Sequence, residues 1–174
     1  MRKLLFALVA STIALAPANA ALKVGDKAPD FTTTGAVGGK EFKIHLADQL
    51  KKGPVVLYFF PKAFTSGCTA EAHAFSESIG EFKKAGAEVI GMSADDLPKL
   101  TRFSVEECRN AFPVATATAA TRKAYDVASA TNPGRTTRTS YVIDRRGRIV
   151  MVHDDRDFSQ HVAKTLAAVR ALKR

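Results

Sequence analysis

The chain of 174 residues has two cysteines, and one of them stands where chemistry is to be expected. Cys68 closes the stretch Thr65-Ser66-Gly67-Cys68, which follows the apolar run VVLYFF (55–60) and Pro61 and opens a helix-like pattern. A side chain in the first turn of a helix sits among free backbone N–H groups at the positive end of the macrodipole. For a cysteine, that setting favours thiolate over thiol, and the thiolate is the nucleophile. Gly67 lets the backbone approach whatever Cys68 reacts with. Pro61 fixes the chain as it leaves the strand and removes one donor, and Thr65 can aim a hydroxyl into the same space. A free cysteine is often simply a small buried hydrophobe. A polar Thr-Ser-Gly turn is a poor match to that alternative, so Cys68 reads as a reactive thiol in a built pocket.

The other candidate groups carry less. His45, His73, His153 and His161 show no metal-ligand spacing, and His-Asp-Asp at 153–155 is weak on its own. His73 is five helical positions after Cys68, a rotation of about 140°, so it is not placed as a base for that thiol. There is no Gly-rich phosphate loop and no helical metal motif; no cofactor and no metal are expected. The formal charge is +9, but the basic residues are scattered and no aromatic residues interleave them. A solvated surface accounts for this, and no nucleic-acid partner is expected.

The elements that must position Cys68 follow from periodicity. FTTT and EFKIHL flank GAVGGK (35–40) and predict an N-terminal β-hairpin. Residues 55–60 predict a strand buried on both faces. From 69 to 85 the period becomes helical, with Ala72, Phe75, Ile79 and Phe82 on one face and Gly86 at the end. AEVIGMS (87–93) is a second buried strand, which completes a βαβ unit. Asp95-Asp96 opens a helix over LPKLTRFSVEECR, and a short helix fits TAATRKAYDVA. TSYVID and RIVMVH form a hairpin, and Asp157 caps a last helix with Phe158, Val162, Leu166 and Val169 on its apolar face. This order gives an α/β fold, a central mixed sheet with helices on both faces, as in a thioredoxin-like fold with a hairpin added in front.

Residues 1–20 read separately. MRKLLFALVASTIALAPANA has two positive charges, an apolar run and the Ala18-Asn19-Ala20 sequence of a secretory signal peptide, with cleavage expected after Ala20. The apolar run is shorter than a membrane span needs. The mature domain is then 21–174, with 24 basic against 17 acidic residues, no membrane attachment, and a place outside the cytoplasm, most simply a bacterial periplasm, where disulfides can form.

Pro61, Thr65 and Cys68 make P-x-x-x-T-x-x-C, with Glu71 three residues on. This resembles the active-site motif of the peroxiredoxins, thiol peroxidases on a thioredoxin-like fold. The longer run FPKAFTSGCTAEAHAF looks like the subgroup called bacterioferritin comigratory protein or peroxiredoxin Q, and the likeness runs from Val24 through RTSYVID and beyond. The resemblance implies that Cys68 is the peroxidatic thiolate, which reduces hydrogen peroxide or an organic hydroperoxide and becomes a sulfenic acid. It implies that Thr65 hydrogen-bonds the peroxide, that Pro61 shields the thiolate, that Arg138 of RTSYVID completes the site with Gly67, and that Glu71 orients local polar groups. Arg135 is a competitor at the wrong spacing. Many members have a resolving cysteine five residues after the first, where this chain has His73. Cys108 then stands as the resolving cysteine, forming an intramolecular disulfide; a buried helix cysteine in a one-cysteine enzyme is the alternative. The reductant implied is a thioredoxin-like or other thiol, and the expected state a monomer or weak dimer.

A reading from another class is an exported thiol–disulfide protein or non-catalytic redox-binding module on the same fold. A disulfide exchanger usually needs C-x-x-C, and here that position is Glu71.

Overall fold

The structure, a computed structural model, describes residues 22–172. The expected signal peptide and its expected cleavage point lie outside the described residues. Seven strands form one mixed sheet: β1 (Thr32–Val37), β2 (Lys40–His45), β3 (Val55–Phe59), β4 (Glu88–Ser93), β5 (Val114–Thr116), β6 (Thr139–Ile143) and β7 (Ile149–Asp154). Their order across the sheet is β2-β1-β5-β4-β3-β6-β7. β3, β4 and β5 run parallel, and the outer strands join antiparallel. The helices are α1 (Leu46–Lys52), α2 (Ser66–Lys84), α3 (Leu97–Glu106), α4 (Ala119–Ala124) and α5 (His161–Ala171), the last preceded by a 3-10 turn at Phe158–Gln160.

β3 is buried along its whole length, so its alternate side chains feed two cores. Val56, Tyr58 and Phe60 meet α2, α3 and α5, and both cysteines belong to that cluster. Val55, Leu57 and Phe59 meet α1 and the Tyr125 region on the other face. A central strand buried on both sides and paired with parallel β4 is what a continuous apolar run specifies. The N-terminal hairpin turns at Gly38 and Gly39, both with positive φ, a conformation in which glycine meets no Cβ penalty.

Four details differ from the sequence expectation. α2 begins at Ser66 rather than Thr69, because Thr65 is extended (φ −91°, ψ 148°) and serves as the N-cap; Cys68 is therefore the third helical residue. Cys108 lies beyond the end of α3, in the turn that follows Glu106. α1 and β5 are additional: α1 spans seven residues and β5 only three, too short for a periodic signal. On α5 the fully buried positions are His161, Thr165 and Val169, whereas Val162 and Leu166 are partly buried. The polar pair tolerates this because Thr165 donates its hydroxyl to the His161 carbonyl at 2.7 Å and both ring nitrogens of His161 are hydrogen-bonded.

Candidate active site

Cys68 sits where β3 hands over to α2. The Ser66, Gly67 and Cys68 amides precede Thr69, whose N–H is the first intrahelical donor, and Thr65 makes no side-chain cap, so these N–H groups have no helix partner. The link between the two elements is held from behind. Asp95 accepts from the Ala63 amide and from Ser93 Oγ, both at 2.8 Å, and its second oxygen takes Lys99 Nζ at 2.6 Å. Burial works to raise the Asp95 carboxyl, but Lys99, the Ala63 amide and Ser93 together hold it below the usual carboxylate range. Phe64 adopts φ 65°, uncommon for a bulky residue, with its ring set edge-on against Phe103 and beneath the Arg102 guanidinium at 5.3 Å. Thr65 donates its hydroxyl to the Lys62 carbonyl at 2.9 Å. Its one proton is thus committed, and its oxygen is left to accept.

Arg138 comes from the far side, seventy residues on, at the entrance to β6. Thr136 ties that segment to β3 by donating to the Phe60 carbonyl at 2.7 Å. All three guanidinium nitrogens are engaged. Nε donates to the Arg156 carbonyl at 3.0 Å, Nη1 to Glu71 Oε2, and Nη2 to Cys68 Sγ at 3.5 Å. A Cβ on Gly67 would stand 3.4 Å from Nη2, so glycine gives the guanidinium room beside the sulfur. Arg138 is 8% exposed and Glu71 and Cys68 are 0% and 2%; the ion pair and thiol are out of water, where a fixed charge acts strongly. Arg135 does not reach the sulfur. With Pro61, Thr136, Arg138, Asp154 and Arg156 it lines a cavity of about 540 Å³ that opens beside the site.

Glu71 has a second neighbour that no motif links to it. Oε1 has no hydrogen-bond partner, and His161 Nδ1 is 3.8 Å away. Burial pushes the Glu71 carboxyl up to about 8 against the pull of Arg138. Burial also lowers His161, to about 4. The signal that could have found His161 is its position one turn after the Asp157 cap, but period alone scores it as polar.

Cys108 is fully buried in the same cluster as Cys68, and both are free thiols. Burial, with Glu107 alongside, pushes the Cys108 thiol far up. α2 fastens the Cys108 turn at three points: Ser76 Oγ shares its one proton between its own helix at the Ala72 carbonyl, 2.8 Å, and the Cys108 carbonyl, 2.9 Å, His73 Nε2 pairs with Glu107 at 2.9 Å, and Arg109 pairs with Glu77 at 3.2 Å. No cluster of histidine, cysteine and carboxylate groups suited to a metal occurs among the described residues.

A thiol at a helix start with a guanidinium on its sulfur, on a mixed sheet flanked by helices, defines the class: a thiol-dependent peroxidase, an oxidoreductase. Residues 24–152 match the AhpC/TSA family. The chain is 35% identical over 153 residues to the chloroplast peroxiredoxin Q of Triticum aestivum, covering 85% of this chain and 67% of that protein. It is 34% identical over 145 residues to peroxiredoxin Bcp of Escherichia coli, covering 80% and 90%. The crystal structure of peroxidoxin BcpB from Mycobacterium tuberculosis superposes with a TM-score of 0.79 at 30% identity, covering 88% of this chain and 99% of that one. The chain belongs to the AhpC/TSA family, and its similarity is to the peroxiredoxin Q and Bcp members. A disulfide exchanger is not favoured: the position three after Cys68 is a glutamate locked on Arg138.

Proposed function

We propose that this peroxiredoxin reduces hydrogen peroxide and organic hydroperoxides at Cys68 and resolves the product through Cys108. The Cys68 thiolate attacks the terminal peroxide oxygen. An S–O bond forms, the O–O bond breaks, and the leaving oxygen takes a proton, giving a sulfenic acid and water or an alcohol. The Cys108 thiol then displaces that oxygen as water, leaving a disulfide. A thioredoxin-like or other thiol supplies two electrons to restore both thiols.

The observation that carries the reading is Arg138 Nη2 at 3.5 Å from Cys68 Sγ. Thiolate formation alone is too small a factor: a thiol of pKa about 8.5 is roughly 3% ionised at neutral pH, so full ionisation gains only about thirtyfold. Enzymic accelerations begin around a millionfold. The remainder is assigned to groups already in place for the stretched O–O bond: the guanidinium, the first-turn amides and the accepting oxygen of Thr65. Pro61 walls the approach, and the cavity beside it admits the peroxide. Export by residues 1–20 puts the reaction outside the cytoplasm, with a reductant in the same compartment.

One equivalent of peroxide added to the reduced protein, without any partner protein, tests the reading. The expected result is rapid loss of the Cys68 thiol and a product two mass units lighter. A thiol titre that peroxide leaves unchanged overturns the peroxidase reading. N-terminal sequencing of protein from an envelope fraction tests export, with Ala21 expected first and an intact Met1 against it.

A further inference from the structure

Glu71, Arg138 and Cys68 form a buried array with one permanent cation and two groups able to become anions. Two anions on one guanidinium, out of water, leave an uncompensated charge, which is strongly unfavourable. Glu71 Oε2 is satisfied by Arg138, but Oε1 is buried without a hydrogen-bond partner, and an unsatisfied buried oxygen is itself costly, most of all when it is charged. A proton there removes the surplus charge. The only titratable group of α5 facing that oxygen is His161, with Nδ1 at 3.8 Å. The Asp155 carbonyl, which can only accept, takes His161 Nε2 at 3.0 Å and so fixes the ring proton on Nε2. The Nδ1 lone pair is thereby turned toward Ser140 Oγ, at 2.8 Å, and the Glu71 carboxyl. The other charged and titratable groups around the pair are Tyr58 of β3, Arg138, His153 of β7, whose ring is 4.5 Å from that of His161, and the Asp155 and Asp157 carboxylates ahead of the 3-10 turn.

We propose that Glu71 and His161 together hold one proton that offsets the Cys68 thiolate across Arg138, which makes His161 a positioning residue for the nucleophile. With thiolate, guanidinium and a protonated pair, the array is neutral. When peroxide converts Cys68 to uncharged sulfenic acid, the leaving oxygen takes one proton and the pair gives up one, with solvent as the common pool. Sulfenic acid, guanidinium and Glu71 carboxylate are again neutral, so the charge balance closes on both sides of the reaction. Within the pair the proton resides chiefly on Glu71, since burial raises that carboxyl and lowers the imidazole. The pair deepens the peroxidatic reading of Cys68 and rests on it for its purpose.

The test is the pH midpoint of Cys68 alkylation by iodoacetamide in four proteins: wild type, His161→Asn, Glu71→Gln and the double variant. Asparagine keeps a polar atom near Ser140 but cannot take a proton. His161→Asn takes the nearest base away from the Glu71 proton, so the carboxylate forms at lower pH and the Cys68 midpoint should move up by about one unit, the size expected for that added anion. Glu71→Gln, a permanently neutral stand-in for the protonated acid, should leave the midpoint no higher than in wild type. In that background His161→Asn should have no effect. A shift of equal size in both backgrounds marks a merely structural histidine and overturns the proposal, as does no shift in either. Should the variants fail to fold, the wild type answers by carboxyl 13C NMR. Blocking Cys68 as the neutral thioether should move the Glu71 titration to lower pH, and an unmoved titration overturns the proposal. None of these readings needs turnover, so a protein that behaves as expected here yet leaves peroxide untouched overturns the peroxidase reading instead.

Discussion

Cys68 and Cys108 occupy one apolar cluster and are hidden to almost the same degree, 2% and 0% exposed. Their surroundings differ in charge, not in burial. Cys68 stands at the positive end of a 19-residue helix with a guanidinium on its sulfur. Cys108 stands past the end of a helix, beside Glu107, with its thiol pushed far up. Burial opposes ionisation of any thiol, so the peroxidatic reading of Cys68 rests on the placed cation and the helix start. If that reading holds, exposure is a poor guide to which cysteine reacts, and the direction of nearby dipoles is a better one.

The largest effect on this contrast comes from Cys68→Ser, because a serine hydroxyl is barely ionised at neutral pH. Peroxide turnover should vanish while Cys108 stays unmodified by mass spectrometry; substantial turnover would end the assignment. Next is Arg138→Ala, which removes the cation and should slow the oxidation of Cys68 by peroxide, followed by stopped flow, by about a hundredfold or more. Arg135→Ala, on the cavity wall, should change that rate far less, and the reverse ranking would mean the wrong arginine has been chosen. Cys108→Ser should keep the first, stoichiometric oxidation, lose the internal disulfide, and carry more sulfinic acid at high peroxide. An unchanged product mass relative to wild type would return Cys108 to the status of a core residue. The smallest effect should come from Ser76→Ala, which frees the Cys108 carbonyl from α2. Losing one hydrogen bond worth about 1 kcal/mol should speed disulfide formation by roughly fivefold, read by quenched-flow alkylation, and leave the first oxidation alone.

The sequence made the βαβ unit and its cysteine legible because every part of it is local. The apolar run, proline, glycine turn and helical period stand within thirty residues, and each has its own physical signature. Arg138 is a different case. Seventy residues of chain separate it from Cys68, and only the resemblance of RTSYVID to a family pattern pointed to it. Asp95 read as the start of a helix, and its clamp on the Ala63 amide is a tertiary contact that no period encodes. The sequence suggests His161 only as a metal ligand, without the spacing for one, and does not single out Thr165. Hydrophobic periodicity selects Val162 and Leu166 along with Val169, whereas two of the three fully buried positions are polar and are satisfied by Ser140, Asp155 and their own helix. β5, at three residues, is shorter than any alternation can register, and it exists because β1 and β4 flank it with partners.

α2 holds Cys68 in its first turn and, through His73, Ser76 and Glu77, grips the Cys108 turn from its third and fourth. One helix thus fastens both ends of the proposed Cys68–Cys108 disulfide. The rate at which it lets go is a property of the fold and does not depend on how much peroxide is present. Further oxidation of the waiting sulfenate does depend on it. The ratio of sulfinic acid to disulfide in a population of molecules therefore records the peroxide concentration they met, and the stiffness of α2 sets the scale on which it is written.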